Sequence, residues 1–375
     1  MTQSSAKQAP LFDLTPTDEQ RMTREAMQRF AESEMRPIAR NSDENYELPA
    51  EFLQQAHELG ITMLAVPEEF GGAGQDRSPI SNVLIAEDLA KGDMGLALAV
   101  LSPLGVVNTL LDQGSEGQKA KYLPGFVGES FKPAAVAISE PRATFDVRDI
   151  QTQATKDGDG YVLNGVKSLV PLATSAELFI VIANLEGQGP QAFIVEAGTA
   201  GVTTESQRYL GVHAIQPGIV KLESVRVGAD ALLGEQEKTF DYNRLLDLSR
   251  LGLCAAACGT AQGLLEHVTE YANERVAFGE PISHRQAVAF MVANIAIELE
   301  AVRLLTWRAA SRAEQGLEFH REAHLAYINA SERMLEIGNN GVQILGGAGF
   351  IREYLEELWY RNLRGVAIVE GCFAI

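Results

Sequence analysis

The chain has 375 residues, 46% of them hydrophobic and 22% charged. That is an ordinary globular balance, with length enough for two or three packed subdomains. Fifty acidic residues against 31 basic ones leave a formal net charge of −19, which repels nucleic acid and anionic membrane and requires a local basic site for any anionic ligand.

The first residues, MTQSSAKQAP, lack the apolar stretch of a signal peptide, and no run of 18 apolar residues occurs. A soluble, cytoplasmic protein is expected, with a loose arm over 1–14. Helices are predicted over 15–128. Thr17 followed by Gln20 has the form of a capping box, and Met22, Ala26, Phe30 and Met35 recur behind it at roughly helical spacing. A second helix runs from about Pro49 to Leu59 and stops at Gly60. Val66 to Gly74, with Pro67, Gly71 and Gly72, reads as a loop, and apolar helices follow over about 78–91 and 96–113.

The pattern changes near 132. Short β-branched runs at 135–138, 160–170, 178–182 and 192–195 are separated by Asp/Gly turns such as 156–160. No helical stretch of useful length divides them, so the middle segment, 129–236, is expected to be an antiparallel sheet or barrel rather than a set of βαβ units. Helical patterning returns near 238, with segments 238–273, 284–313 and 319–345 each long enough to cross a bundle, giving a C-terminal helical domain over 237–375. The fold class is therefore α+β, in the order helices, strands, helices. Of the three cysteines, Cys254 and Cys258 lie four apart in an Ala-rich helical stretch, as small packing residues would; three are too few for a disulfide framework. His320 and His324 would share a helix face, but with no third ligand nearby a metal site is not expected. No G-x-G-x-x-G follows a strand, which argues against a Rossmann site.

Six stretches, in order, carry a family resemblance: Pro67–Gly74, Gly117–Pro124, Ser139-Glu140-Pro141, Asn164-Gly165-Val166-Lys167, Tyr271–Gly279 and Gln343–Phe350. Together they span about 300 residues, and the chain resembles the FAD-dependent acyl-CoA dehydrogenases. The resemblance implies an N-terminal all-α domain, a middle β domain and a C-terminal four-helix bundle. It implies α,β-dehydrogenation of an acyl-CoA thioester to the trans-2-enoyl-CoA, with electrons passed to an electron-transferring flavoprotein. Glu370 would be the base, taking the α-proton while a hydride leaves the β-carbon for flavin N5. A general base of this kind works best in a dry site, and Val366 to Val369 before it and Gly371 and Phe373 after it are apolar surroundings. By composition alone Glu370 would read as a solvated carboxylate near the C-terminus. Ser249 stands where some members carry the acid instead, so Glu370 is the one candidate.

The resemblance assigns further roles. Arg275, Phe278, Gln286, Gln343, Gly346 and Gly347 match the adenine-diphosphate half of an FAD site shared across a subunit interface. Gly346 and Gly347 also read simply as a helix-ending turn. Ser139 matches a contact to the flavin pyrimidine edge. Asp247 and Arg250 match residues that touch the CoA arm, and Gly371 lets ligand and backbone approach closely. A homo- or hetero-oligomer, dimer or tetramer, follows from a shared cofactor site. Departures cluster at the flavin ring. Phe145 replaces a small serine of the substrate channel. Leu169 stands for an aromatic, and Pro171 for a hydroxyl residue that donates to N5. Cys372 and Ala374 replace a threonine and a glutamine, and the family's final helix is not expected after Ile375. These departures raise an alternative: a subunit that completes the FAD site of a heteromeric partner.

Overall fold

The computed structural model describes residues 15–235 and 239–371; the arm expected at 1–14, together with Cys372 and Ala374, lies outside the described residues. Helix α1 (Asp18–Phe30) starts with the expected capping box, Thr17 and Gln20 each bonding the other's backbone N–H. Pro37 has no N–H to return to the carbonyl four residues back, and the helix takes a π turn over Ala31–Met35 before continuing as α2 (Arg36–Asn45). Helix α3 (Ala50–Glu58) ends at Gly60, whose φ of 70° suits glycine. A short α4 (Ile61–Leu64) leads into the predicted loop. Then come α5 (Pro79–Ala90), α6 (Met94–Gln113) and α7 (Glu116–Tyr122). Helix α6 is long and apolar enough to cross a membrane, but 94% of that window is buried inside the protein. Apolar on all sides, it is the layer between the helices and the sheet.

The sheet has seven strands: β1 (Ala134–Ala137), β2 (Gln153–Asp157), β3 (Gly160–Val170), β4 (Leu178–Leu185), β5 (Gly189–Glu196), β6 (Val202–Ser206) and β7 (Gly218–Val227). Their order is β1-β4-β2-β3-β7-β6, with β5 also on β4. The pairs β2·β3, β3·β7, β4·β5 and β6·β7 are antiparallel as expected, but β1 and β2 both run parallel to β4. Ala137 pairs with Val181 and Gln153 with Asn184. The two strands are thus successive lengths of a single edge, interrupted by the excursion of residues 138–152. A purely antiparallel reading misses this because the interruption has no periodic signature. The excursion carries Ser139, Glu140 and Phe145 out of the sheet.

Helices α8 (Tyr242–Glu274), α9 (Gln286–Glu314) and α10 (His320–Leu345) cross as a bundle, with α11 (Glu356–Gly365) against α8 and α10. A small hairpin, β8 (Val276–Ala277) and β9 (Glu280–Pro281), links α8 to α9. Helix α8 is buried nearly all round from Leu245 to Ala261 and packs against α5, α6, α9 and α10. Cys254 and Cys258 are fully buried free thiols on it, and burial pushes Cys254 up to about 12. They are unreactive packing groups.

Candidate active site

The excursion from the sheet edge is anchored by an ion pair in the protein interior. Lys167, on β3, is 0% exposed; its Nζ donates to the Ile138 carbonyl at 2.9 Å and to Glu140 Oε1 at 3.0 Å. The Glu140 carboxylate also accepts from Thr152 N at 2.8 Å, Thr152 Oγ1 at 2.7 Å and Gln151 N at 2.9 Å. Burial pushes the Glu140 carboxyl up, but Lys167 and these donors outweigh it and hold the group below its ordinary value. Both ends of the excursion are thereby tied to one carboxylate, and Ser139 is held between them.

Ser139 is where the C-terminal segment meets the sheet: its hydroxyl donates to the Glu370 carbonyl at 3.2 Å. Gly371 follows with φ 85°, and a Cβ there would lie 3.1 Å from Ile138 Cδ1. Any side chain at 371 would be strained and crowded, so glycine is required for this approach. The Glu370 side chain is 21% exposed, and its surroundings are not uniformly apolar as the sequence suggested. Arg250, on α8, donates from Nε at 2.7 Å and holds Oε1 from a second nitrogen at 2.6 Å. Arg250 is itself buried, with Asp247 Oδ1 at 3.1 Å. Asp247 Oδ2 lies 2.6 Å from His320 Nδ1, at the start of α10. Burial leaves the Asp247 carboxyl raised in spite of His320 and Arg250. Burial, then the Glu370 charge, also raises the phenols of Tyr242 and Tyr327. Arg250 stacks over Tyr327 at 5.5 Å. Sequence reasoning passed over His320 as a partner of Asp247, 73 positions away; only its place at the start of a helix was readable.

Ser139, Asp247, Arg250, Glu370 and Gly371 therefore converge. Phe145, on the excursion, is half-buried beneath the Arg142 guanidinium at 5.7 Å. Leu169 and Pro171 are buried; Leu169 has φ 56°, and its N–H donates to the Tyr209 hydroxyl at 3.3 Å. The convergent groups combine a carboxylate, a guanidinium fork and a hydroxyl at the junction of sheet and bundle. A carboxylate in this setting is able to accept a proton.

The second set of predicted residues lies elsewhere. Arg275 caps the far end of α8, 25 residues from Arg250, which at about 1.5 Å per residue is about 37 Å. Arg275, Phe278, Gln286, Gln343, Gly346 and Gly347 are all exposed, Phe278 at 96%. Phe278 lines a groove of about 640 Å³ with Ile282, Arg285, Val288 and Ile344. Arg285, absent from the sequence reading, is the cation in its wall. Gly346 ends α10 at φ 59° and ψ −128°, a conformation open in practice only to glycine, so the helix-ending reading of this residue holds; among the described residues, its chain neighbours apart, no atom lies within 4 Å of where its Cβ would be. Cations, an aromatic face and bare backbone are a donor set that fits a nucleotide diphosphate. The set around Ser139 fits a flavin ring less completely, because Pro171 has no N–H to offer.

The sequence profiles of the acyl-CoA dehydrogenase N-terminal, middle and C-terminal domains match residues 17–130, 135–225 and 242–375. The chain is similar to the mitochondrial short-chain specific acyl-CoA dehydrogenase of Bos taurus, 35% identical over 93% of this chain and 86% of that one. Among solved structures, butyryl-CoA dehydrogenase from Megasphaera elsdenii superposes with a TM-score of 0.87, at 32% identity and 96% coverage of both chains. An FAD complex of PigA superposes with a TM-score of 0.86, at 26% identity and 95% coverage of both. The helical, sheet and helical layers, the convergence at Glu370 and these matches lead to one conclusion: the chain belongs to the acyl-CoA dehydrogenase family of oxidoreductases.

Proposed function

We propose that the protein is an FAD-dependent dehydrogenase of a short acyl-CoA thioester, with Glu370 as base. The observation that carries the reading is the position of the Glu370 carboxylate. It sits on the Gly371 turn, between the Ser139 excursion and the buried Arg250. Glu370 takes the α-proton from the thioester, and bound FAD would accept the hydride from the β-carbon. By the family resemblance the main-chain N–H of Glu370 would help to hold the thioester oxygen, and Arg250 orients the base. Arg275, Phe278, Gln286, Gln343, Gly346 and Gly347 hold the nucleotide half of a cofactor whose ring lies in a second subunit. The distance of about 37 Å along α8 supports this division. So does the exposed apolar face of α9 and its neighbours, with Phe278, Phe290, Ile297 and Phe350 each more than 60% exposed. Electrons pass on to an electron-transferring flavoprotein.

The test is flavin bleaching by butyryl-CoA under anaerobic conditions. Glu370→Gln should retain the flavin spectrum and lose turnover by about 10³-fold or more; unchanged turnover would remove Glu370 from the reaction. Buried Leu169 and Pro171 favour a second reading, in which this chain supplies its nucleotide half-site to a homologous catalytic partner. A colourless protein that gains FAD only with such a partner would establish that reading instead.

A further inference from the structure

Four charged or titratable side chains form one unbroken line from the protein surface to Glu370. His320 is 41% exposed, Asp247 3%, Arg250 4% and Glu370 21%. The contacts between them are 2.6 Å, 3.1 Å and 2.6 Å. We infer that His320 is a positioning residue for Glu370, acting through Asp247 and Arg250. For its catalytic consequence the inference rests on Glu370 being the base; the linkage itself does not.

Arg250 is the pivot. Its guanidinium is shared between two carboxylates, on α8 itself and on the C-terminal segment, and it cannot bring its full charge to both. Asp247 is in turn shared between Arg250 and His320. When His320 is neutral, the whole Asp247 charge faces Arg250 and draws the guanidinium away from Glu370. When His320 is protonated, the imidazolium answers Asp247, and Arg250 turns its charge to Glu370. A carboxylate held tightly by a guanidinium is a poorer base, because its charged form is stabilised. Protonation at the surface thus tightens the hold on Glu370, and deprotonation loosens it.

The other charged groups around the line do not break it. The His320 backbone N–H donates to Glu318 Oε1 at 3.1 Å, which leaves the ring free for Asp247. Arg244 lies over the Phe319 ring at 5.5 Å. His324, one turn along α10, feels Arg250, Arg148 and His320 as like charges and Glu370 as an opposite one, so it shares their space. Burial followed by those cations lowers His324. Tyr242 and Tyr327 are raised and remain uncharged. His320 is therefore the solvent-facing end of the line that reaches Glu370 through Asp247 and Arg250.

The test has two arms. In the full-length protein labelled at histidine ¹³Cε1, the six histidines give separate ring signals, and His320 is identified by its loss in His320→Gln. The His320 titration should move to lower pH in Glu370→Gln by about 0.3 unit or more, and further in Asp247→Asn, since each removes negative charge from the line. A midpoint that ignores Glu370→Gln while responding to Asp247→Asn overturns the inference. The second arm is the pH dependence of kcat/KM with butyryl-CoA. His320→Gln can still donate to Asp247 but cannot titrate, so it should remove one ionisation from the acid limb. His320→Leu leaves the Asp247 charge wholly facing Arg250, so it should hold kcat/KM at the wild type's high-pH value throughout the acid limb. A His320→Gln profile that superimposes on the wild type overturns the inference. If no acyl-CoA reduces the flavin of the wild type, the reading of Glu370 as base falls, and the first arm alone decides the linkage.

Discussion

Replacing Lys167 by Met tests whether the buried pair holds the Ser139 excursion in place. The change keeps the apolar stem and removes only the ammonium, so packing is largely retained. Removing one member of a buried pair costs about 3–5 kcal/mol, because a charge is left uncompensated. Glu140 keeps its bonds from Thr152 N, Thr152 Oγ1 and Gln151 N, which brings the expectation to the lower end, about 3 kcal/mol. The Ile138 carbonyl loses its Lys167 donor too. Because Ile138 packs under Gly371, the looseness reaches the Glu370 turn. Urea unfolding followed by far-UV circular dichroism measures the stability, and FAD content measures the effect on the site. Glu140→Gln added to Lys167→Met should recover about 1–2 kcal/mol, since an amide needs no counter-ion. A single variant within about 0.5 kcal/mol of the wild type, or a double variant whose losses simply add, would refute the anchoring argument.

Asp93 caps α6 by accepting from Leu96 N at 2.9 Å, and burial pushes its carboxyl up to about 6. A raised folded value means stability is highest below the unfolded value near 4 and is lost as pH rises through about 6. Asp93→Asn keeps a capping side chain and should raise the melting temperature at pH 8 but not at pH 4; equal shifts at both would contradict the burial argument. Asp43 shows the opposite case. Burial raises it, but His213 and the two-pronged bond from Arg361 outweigh that and hold it at about 2. Its contribution is present above the unfolded value near 4 and is lost as pH falls through 2. Asp43→Asn should therefore flatten the acid side of the stability curve, as read by melting temperature between pH 2 and 5. Pro171→Thr supplies a hydroxyl beside the proposed flavin ring and should tighten FAD binding by about tenfold, measured by fluorescence titration of the apoprotein. No change in affinity would mean that residue 171 does not face the cofactor.

Features that depend on near neighbours were readable from residue order alone. The Thr17–Gln20 capping box, the stop at Gly60, the Gly158 turn between β2 and β3 and the three long bundle helices follow from local sterics, capping and periodicity. The family resemblance also pointed to Ser139, Asp247, Arg250, Glu370 and Gly371, and these five converge. What tertiary structure decided is who partners whom. Parallel alignment of β1 and β2 along a single edge of β4, Lys167 with Glu140, and Arg250 with Glu370 across 120 positions all depend on how layers close on one another. Such pairings leave no period in the sequence, because burial selects a charge partner by its position in space. The sequence alone suggested a carboxylate in apolar surroundings at 370. The packed chain adds the guanidinium that grips it and the histidine behind that guanidinium, since only folding brings α8, α10 and the C-terminal turn to the same point.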